Sequence, residues 1–562
     1  MKKKFGILLG CIALIFVFAA CGQGGGADAG AGAVPAAGAG AASAPAAVDA
    51  DGNFNPTGWP VVNEPITISA VVRDDPNFTM HYNELALNRL WAEETNVHVD
   101  WIKFDVGAWE ERVNLLLISG DLPDVLFGPI SMHTELTYAD QGFWQPLQDL
   151  IHDYTTYIRE FSEMYPEVFS GWFAPSGNIY SLARVKYEED MKWINRMFIN
   201  QVWLNNLGLD KPTNLDEFTY VLRAFRDRDP NGDGGQNIVP LAFRYALTNT
   251  DRRQGNHRHN LFGFMGMFGR VGSIDHIVIE NGEVVFSANQ PEYKAFVSWM
   301  HMAHEEGLID PEAFTMDIAS YRARNITGDH PVYGVWNGWT IVEATNPPEE
   351  GIEIYSLLPP MHNVNNQRVW PRFDYNVSTS GWMFITRENQ FPRETIRWID
   401  FISEPYMSIQ HDWGMEGIGS RRHPDGTWEV LGDGLVTSRT AEGMAWLLPT
   451  IVPLHLYDIA IYASPVQYFQ AIQNTQVLMP HGVQLFPNAY FTLEEAQDMI
   501  QLSSDIGGHI ARTTARWITQ GGVEDEWDEY LATLESLGLA RYIEIYRNTY
   551  ARYLETLAAL LQ

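Results

Sequence analysis

Cysteine is nearly absent from this chain. Cys11 and Cys21 are the only two in 562 residues, and both lie within the first 21. Nothing beyond Cys21 can form a disulfide, a thiolate metal site or a cysteine nucleophile. Basic residues are also scarce, 37 against 70 acidic ones, for a formal net charge of −33. A chain so acidic repels nucleic acid and anionic head groups, which excludes both as main partners. A neutral or cationic ligand suits it better than a polyanion. No Gly-x-Gly-x-x-Gly follows a strand, and no Walker loop, Gly-x-Ser-x-Gly elbow or His-Glu-x-x-His helix occurs, so nucleotide-driven, serine-hydrolase and zinc-protease readings lack support. Long apolar runs are missing after Phe5–Ala20. That run has sixteen residues, short of the ~20 that span a bilayer. No internal repeat is evident.

What is present is apolar mass and aromatic rings. Hydrophobic residues make up 46% and charged residues 19%, with 19 Trp and 24 Tyr. This composition builds large packed cores and excludes global disorder. Length alone suggests about three to four domain-sized units.

The first residues read as an address. Lys2, Lys3 and Lys4 precede the apolar run, in the pattern of a signal peptide over residues 1–20. The sequence Val17-Phe18-Ala19-Ala20-Cys21-Gly22 resembles the lipobox of bacterial lipoproteins, in which the cysteine is acylated and becomes the first mature residue. Phe18 departs from the commoner Leu. The alternative is an ordinary secretory signal with an incidental cysteine. Removal of residues 1–20 takes away three lysines and leaves a charge of about −36. Residues 21–60 begin with a Gly/Ala/Ser/Pro stretch that has little to bury and reads as a flexible tether. A lipid-anchored body on the extracytoplasmic face of the cell membrane is the expectation.

The body opens with strand and helix signals in alternation. Ile66–Val72 is β-rich, Asn83–Thr95 has helical apolar spacing, and Val97–Ile102 alternates. Trp109–Ser119 is again helical, and Asp124–Phe127 reads as a short buried strand. The order βαβαβ, with strands too separated for hairpins, predicts an α/β layer with a parallel sheet and ligand sites at the carboxyl ends of its strands. Helical patterns dominate downstream, at Leu215–Arg226, Pro291–Glu306, Pro392–Ser403 and Leu493–Thr519. The last 40 residues carry aromatics at three-to-four spacing and read as core.

Several segments, in order, resemble the extracellular solute-binding proteins of ABC importers, the group that includes maltose- and alginate-oligosaccharide-binding proteins. They are Ser119-Gly120-Asp121-Leu122-Pro123-Asp124-Val125, Gly142–Leu150, Met197–Leu209 with Pro212–Phe218, Arg397–Phe401, Trp413–Gly417, and Trp527–Tyr530 with Leu537–Leu539. The resemblance covers residues ~62 to 562, and the closest likeness is to long lipoprotein members of Gram-positive bacteria. It implies a two-lobe periplasmic-binding-protein-like α/β fold with a hinge, an interlobe cleft and a helix-rich C-terminal part. By analogy the first lobe holds residues 62–180 plus 352–404, and the second 181–351 plus 405–562. The implied partners are a small-molecule ligand, with oligosaccharide first, and the permease subunits of an ABC transporter, served by a monomer. No catalysis and no obligatory cofactor are implied.

Asp229-Pro230-Asn231-Gly232-Asp233-Gly234 matches the start of an EF-hand-type calcium loop. Asp229, Asn231 and Asp233 occupy the first three ligand positions, with Gly235 and Asn237 next. Position twelve is Pro240 instead of Glu, so the bidentate ligand is missing. The expected role is structural, and a plain Asp/Asn/Gly turn is the alternative.

A sugar offers apolar C–H faces ringed by hydroxyls, so its site needs flat aromatic platforms and polar side chains. Most Trp residues must be core. The resemblance aligns Gly334–Trp339 with the segment that supplies stacking tryptophans in maltose-type binders, which selects Trp336 and Trp339. Trp193, with Asn195 and Arg196, follows the first expected crossover. Arg372, Asp374, Tyr375 and Trp382 flank the returning strand, and Glu416 sits in the Trp413–Gly417 segment. His257 and His259 have no evident third ligand and read as solvated. An anchored carbohydrate-active enzyme or a surface sensor module are the competing classes.

Overall fold

The computed structural model describes residues 52–74, 81–186, 192–193, 195–234, 237–245, 260–326, 330–345, 348–373, 378–431, 451–452, 460–461 and 474–562. The expected signal peptide, Cys21, most of the tether, Gly235, His257, His259, Asp374 and Tyr375 lie outside them.

The opening βαβαβ unit forms as its periodicity predicts. Strand Ile66–Arg73 lies between Val97–Phe104 and Val125–Phe127, parallel to both. The helices Ala86–Thr95 and Trp109–Ser119 are the crossovers. The second of these ends at Gly120, whose φ of 72° is the left-handed conformation a side chain disfavours. The turn then delivers Asp124, whose Oδ2 accepts from the Ser69 amide at 2.7 Å and the Ser69 hydroxyl at 2.8 Å. That bond ties the third strand to the first and explains the Ser119–Val125 segment locally. Antiparallel Ser378–Ile385, then Leu182–Lys186 and Ile451–Val452, complete a six-stranded sheet. Ile68, Ala70 and Val72 enter one apolar layer with Trp91, Trp101 and Trp398, whereas Val71 enters the opposite layer with Trp109 and Trp144. Both faces of the sheet are therefore covered.

A second sheet runs in the order Tyr355–Leu357, Arg196–Asn200, Tyr333–Gly338, Val239–Ala242. Asn200 ends its strand and caps the helix Gln201–Leu207 by accepting from the Trp203 amide at 3.0 Å. Asn214 caps Leu215–Asp227 in the same way through the Glu217 amide. These two caps account for the Met197–Phe218 segment. The second sheet anchors its own large core, which includes Phe198, Phe225, Val297 and Trp517.

The sheets divide the chain differently from the expected boundaries. Leu182–Lys186, expected in the second lobe, pairs in the first sheet, and Tyr355–Leu357, expected in the first, pairs in the second. Met407 of the helix Pro405–Trp413 packs into the first lobe's core. Crossings therefore fall between Lys186 and Lys192 and between Phe373 and Ser378. The helix-rich C-terminal part contacts both lobes. Its Tyr293–Thr514 hydroxyl pair, at 2.7 Å, fastens it to the second. Tyr490 reaches Glu135 Oε1 at 2.9 Å and Tyr553 donates to the Glu167 carbonyl at 2.9 Å, both in the first.

Candidate functional site

Six residue steps from Lys186 to Lys192, and five from Phe373 to Ser378, can span at most ~21 Å and ~18 Å. These short links hold the chain ends they join close together. On the first sheet the edge beside them holds the carboxyl ends Arg73, Phe127 and Val185 and the beginning of Ser378–Ile385. On the second it holds Arg196 and Gly338, which are register partners, and Ala242.

On the first edge, Trp382 lies beneath two guanidinium groups. Arg73 Cζ is 5.6 Å and Arg184 Cζ 5.2 Å from its ring centroid, within cation–π range. Its ring is only 6% exposed, and its Nε1 has no hydrogen-bond partner among the described residues. The sequence reading selected Trp382 but missed both arginines. Arg73 closes an apolar strand, whereas Arg184 stands in the middle of Leu182–Lys186 and gives no such signal.

On the second edge the selected residues separate into core and surface. Trp336 is fully buried, 4.7 Å from Phe198 and 5.7 Å from Tyr355 between ring centroids, and serves as core. Trp193 is also buried. It meets the strand Gly482–Gln484, where a Cβ on Gly482 would come within 2.6 Å of the indole. Arg372 lies beside that glycine, half-buried, in the strand Trp370–Arg372 that pairs with Gly482–Gln484. Trp339 is half-buried against a cluster containing Phe262, Phe373 and Leu485. The structure thus brings Trp193 and Arg372 together, and Trp339 and Arg196 together.

Polar residues missed in the sequence hold this edge. The Asn260 carbonyl accepts from the side-chain amides of Asn195 and Asn337. The Tyr321 hydroxyl donates to the Asn337 carbonyl at 2.7 Å and accepts from its amide at 3.1 Å. Burial raises this phenol well above its ordinary range, so it stays a donor. Glu343 accepts the Trp339 amide at 2.7 Å and pairs with Arg322. Burial lowers the Arg244 guanidinium, opposed by Tyr321, Asp317 and Glu343.

Glu416 belongs to a different place. It is exposed, bonded by the Tyr406 hydroxyl at 2.7 Å, and bridged to Ser420 at the start of a small three-stranded sheet. Burial, with the Glu416 carboxylate adding, pushes Tyr406 up to about 12.

The Asp229 loop follows the helix Leu215–Asp227 as expected. Asp229, Gly232, Gly234 and Asn237 all have positive φ. Asp229 Oδ2 accepts from the Gly234 amide at 3.1 Å, and Asn231 Oδ1 from the Asp233 amide at 3.4 Å. This is a tight turn with two carboxylates and an amide oxygen on it. Pro240, at position twelve, is in the strand Val239–Ala242 and supplies no carboxylate. Among the described residues no three His, Cys, Asp or Glu side chains gather as a metal cluster, and no helix is long and apolar enough to cross a membrane.

No family model matches the chain. The fructooligosaccharide ABC transporter substrate-binding protein FusA of Streptococcus pneumoniae serotype 4 is 30% identical over 505 residues, 85% of this chain and 88% of that one. The structure of FusA in complex with kestose superposes with a TM-score of 0.74 at 26% identity, over 87% of this chain and 100% of that one. That of a FusA EF-hand mutant with fructo-nystose gives 0.73 over the same shares, also at 26% identity. A human-milk-oligosaccharide (HMO) binding solute-binding protein from Bifidobacterium longum infantis gives 0.74 at 21% identity, over 87% and 99%, and shares the fold. With two lobes and a relative matched across nearly the whole body, the chain belongs to the substrate-binding proteins of ABC transporters.

Proposed function

We propose that this protein captures an oligosaccharide between the linked edges of its two lobes and passes it unchanged to an ABC permease. The carrying observation is the 30% identity with a fructooligosaccharide-binding relative over a stretch that includes both lobes. The chemistry of the edges supports it. Trp382 and Trp339 are flat rings, one on each edge, and Arg73, Arg184 and Arg372 supply donors for hydroxyls beside them. The buried Trp382 Nε1 would gain a partner from a sugar hydroxyl. Trp336 lies in the core against Gly338, next to Trp339 in sequence, and Trp193 lies in the core beside Gly482 and Arg372. Asp374 is the remaining candidate for a hydroxyl acceptor.

Thermal melts with kestose, nystose, a maltotriose control and a tripeptide test this reading. A ligand that binds only the folded state raises the melting temperature. At least one of the sugars should do so, and a shift by the peptide alone would overturn the carbohydrate reading.

Two finer readings accompany it. Cys21 carries an acyl anchor at the outer face of the membrane, so Cys21→Ser should release the protein to the medium, and unchanged membrane retention would sink that assignment. The Asp229 loop holds a structural calcium ion through Asp229, Asn231 and Asp233, with Gly235 and Asn237 completing the set. A bound calcium would supply stiffness to the second lobe and no chemistry. Calcium should then raise the melting temperature of EDTA-treated protein, and Asp229→Ala should remove that rise. An unmoved melt in the parent protein would leave a plain turn.

A further inference from the structure

Trp339 is half-buried, yet both polar groups of its backbone are bonded by buried charged side chains. Its N–H donates to Glu343 Oε2 at 2.7 Å, and its carbonyl accepts from the Arg196 guanidinium. Glu343 is 8% exposed and Arg196 1%. The residues just before it are fixed as firmly. Gly338 sits where a Cβ would come within 2.7 Å of the Trp336 ring and 3.0 Å of Glu343 Oε2. Asn337 has both backbone groups on the Tyr321 hydroxyl and its side-chain amide on the Asn260 carbonyl. Burying charge is costly unless each charge is well bonded. Neutral side chains would satisfy one N–H and one carbonyl more cheaply. Charge-assisted bonds are shorter and stiffer than neutral ones, so what the arrangement gains is a fixed position for one aromatic ring.

We propose that Glu343 and Arg196 are positioning residues for Trp339. They clamp its backbone from both sides, so the indole waits in its binding orientation before ligand arrives. Preorganisation of this kind strengthens binding by removing the ordering cost from the association step. Neither clamp residue touches ligand. The inference rests on the reading above that Trp339 meets the ligand, and the experiment separates the two.

Nystose affinity is measured by calorimetry in the parent protein, Trp339→Ala, Glu343→Leu and the double variant. Trp339→Ala should weaken binding about a hundredfold, in the range of a Trp hot spot. Glu343→Leu should weaken it about tenfold, and the double variant no more than Trp339→Ala alone, because the clamp has nothing left to hold. Glu343→Gln keeps an acceptor oxygen without the charge and should recover only part of the affinity. Fully additive losses would overturn the clamp, whereas an unchanged affinity in Trp339→Ala, or no nystose binding at all, would overturn the ligand reading. Fluorine NMR of 5-fluorotryptophan-labelled protein without sugar decides the clamp by itself. The Trp339 resonance, identified by its loss in Trp339→Phe, should be single and sharp in the parent and broadened or split in Glu343→Leu. If Glu343→Leu fails to fold, Arg196→Met removes the other half of the clamp. A Trp339 resonance that is the same in the parent and in the clamp variant would overturn the proposal.

Discussion

In the first lobe, neighbouring residues of the strands go to opposite apolar layers. Leu126 and Phe384 join one layer, while Val125, Phe127, Met383 and Ile385 join the other. In the second lobe, the strand Tyr333–Gly338 is bordered by a buried ladder of hydroxyls and amides. Asn325 Oδ1 accepts the amides of Val332 and Tyr333 at 2.9 Å each, the Tyr355 hydroxyl donates to the Tyr333 carbonyl at 2.8 Å, and the Tyr333 hydroxyl to the Tyr321 carbonyl at 2.9 Å. Both sheets carry apolar layers, although His98, Asp100 and Ile102 on the edge strand of the first are exposed. The first adds to its packing local ties such as Asp124 to Ser69, whereas the second adds to a large apolar core a continuous ladder of directional bonds along one strand. The lobe carrying the clamped Trp339 is the one with the ladder.

The comparison breaks most visibly by removing one large group from each lobe. Trp398 is 1% exposed and meets Trp91, Trp101 and Phe127 at 6.0–6.3 Å between ring centroids. Trp398→Ala should cost about 3–5 kcal/mol in urea unfolding, as a large core cavity does. Tyr321→Phe changes one oxygen and no packing. It removes the donor to the Asn337 carbonyl and should cost about 1–3 kcal/mol, with the loss appearing also as faster amide exchange along 333–338. A Tyr321→Phe variant as stable as the parent would mean that this ladder adds nothing to the packing of the second lobe.

The same contrast decides what could be read in advance. The strands of the first βαβαβ unit announce themselves by β-branched alternation, and all three form within two residues of the expected limits. Arg196–Asn200 and Tyr333–Gly338 carry Arg, Asn, Trp and Gly instead. Some of their polar groups find partners far along the chain, as Arg196 does in Trp339, 143 positions away, and Asn337 in Asn260, 77 positions away, and no local pattern records such pairings. The lobe boundaries failed for the same reason, because analogy placed the exits while sheet pairing set them. Of the proposed site residues, Trp339 was selected by the resemblance of Gly334–Trp339 to a stacking segment, and Trp382 by its place beside the returning strand. Trp336, from the same segment as Trp339, and Trp193 face inward, and facing is a tertiary property. Glu343 and Tyr321 gave no signal, being an ordinary Glu and an ordinary Tyr until folded.

Acid sharpens the comparison at the smallest scale, because each lobe buries one group that titrates in the same range with opposite sign. Burial pushes the His276 imidazole, in the second lobe, down to about 4, and its Nδ1 is closed off with no hydrogen-bond partner among the described residues. In the first lobe, burial pushes Asp400 up to about 6, against the pull of the Ile158 and Thr156 amides and Arg397. The folded pKa of His276 lies below its ordinary value of about 6.5. Its contribution is therefore complete above that pH and is lost as pH falls toward 4. The folded pKa of Asp400 lies above its ordinary value of about 3.9. Its contribution is complete below that pH and is lost as pH rises through 6. Between pH 4 and 6 the two oppose each other, so the parent protein shows only their difference. Relative to the parent, His276→Gln should gain stability on acidification from 6.5 to 4, because only the Asp400 term remains. Asp400→Asn should lose stability more steeply over the same interval. Urea melts at pH 4.5, 5.5 and 6.5 compare the three slopes, and every other carboxylate and histidine is common to all of them. Parallel slopes would show that neither group is held away from its ordinary titration. A change in only one variant would locate the pH sensitivity in a single lobe.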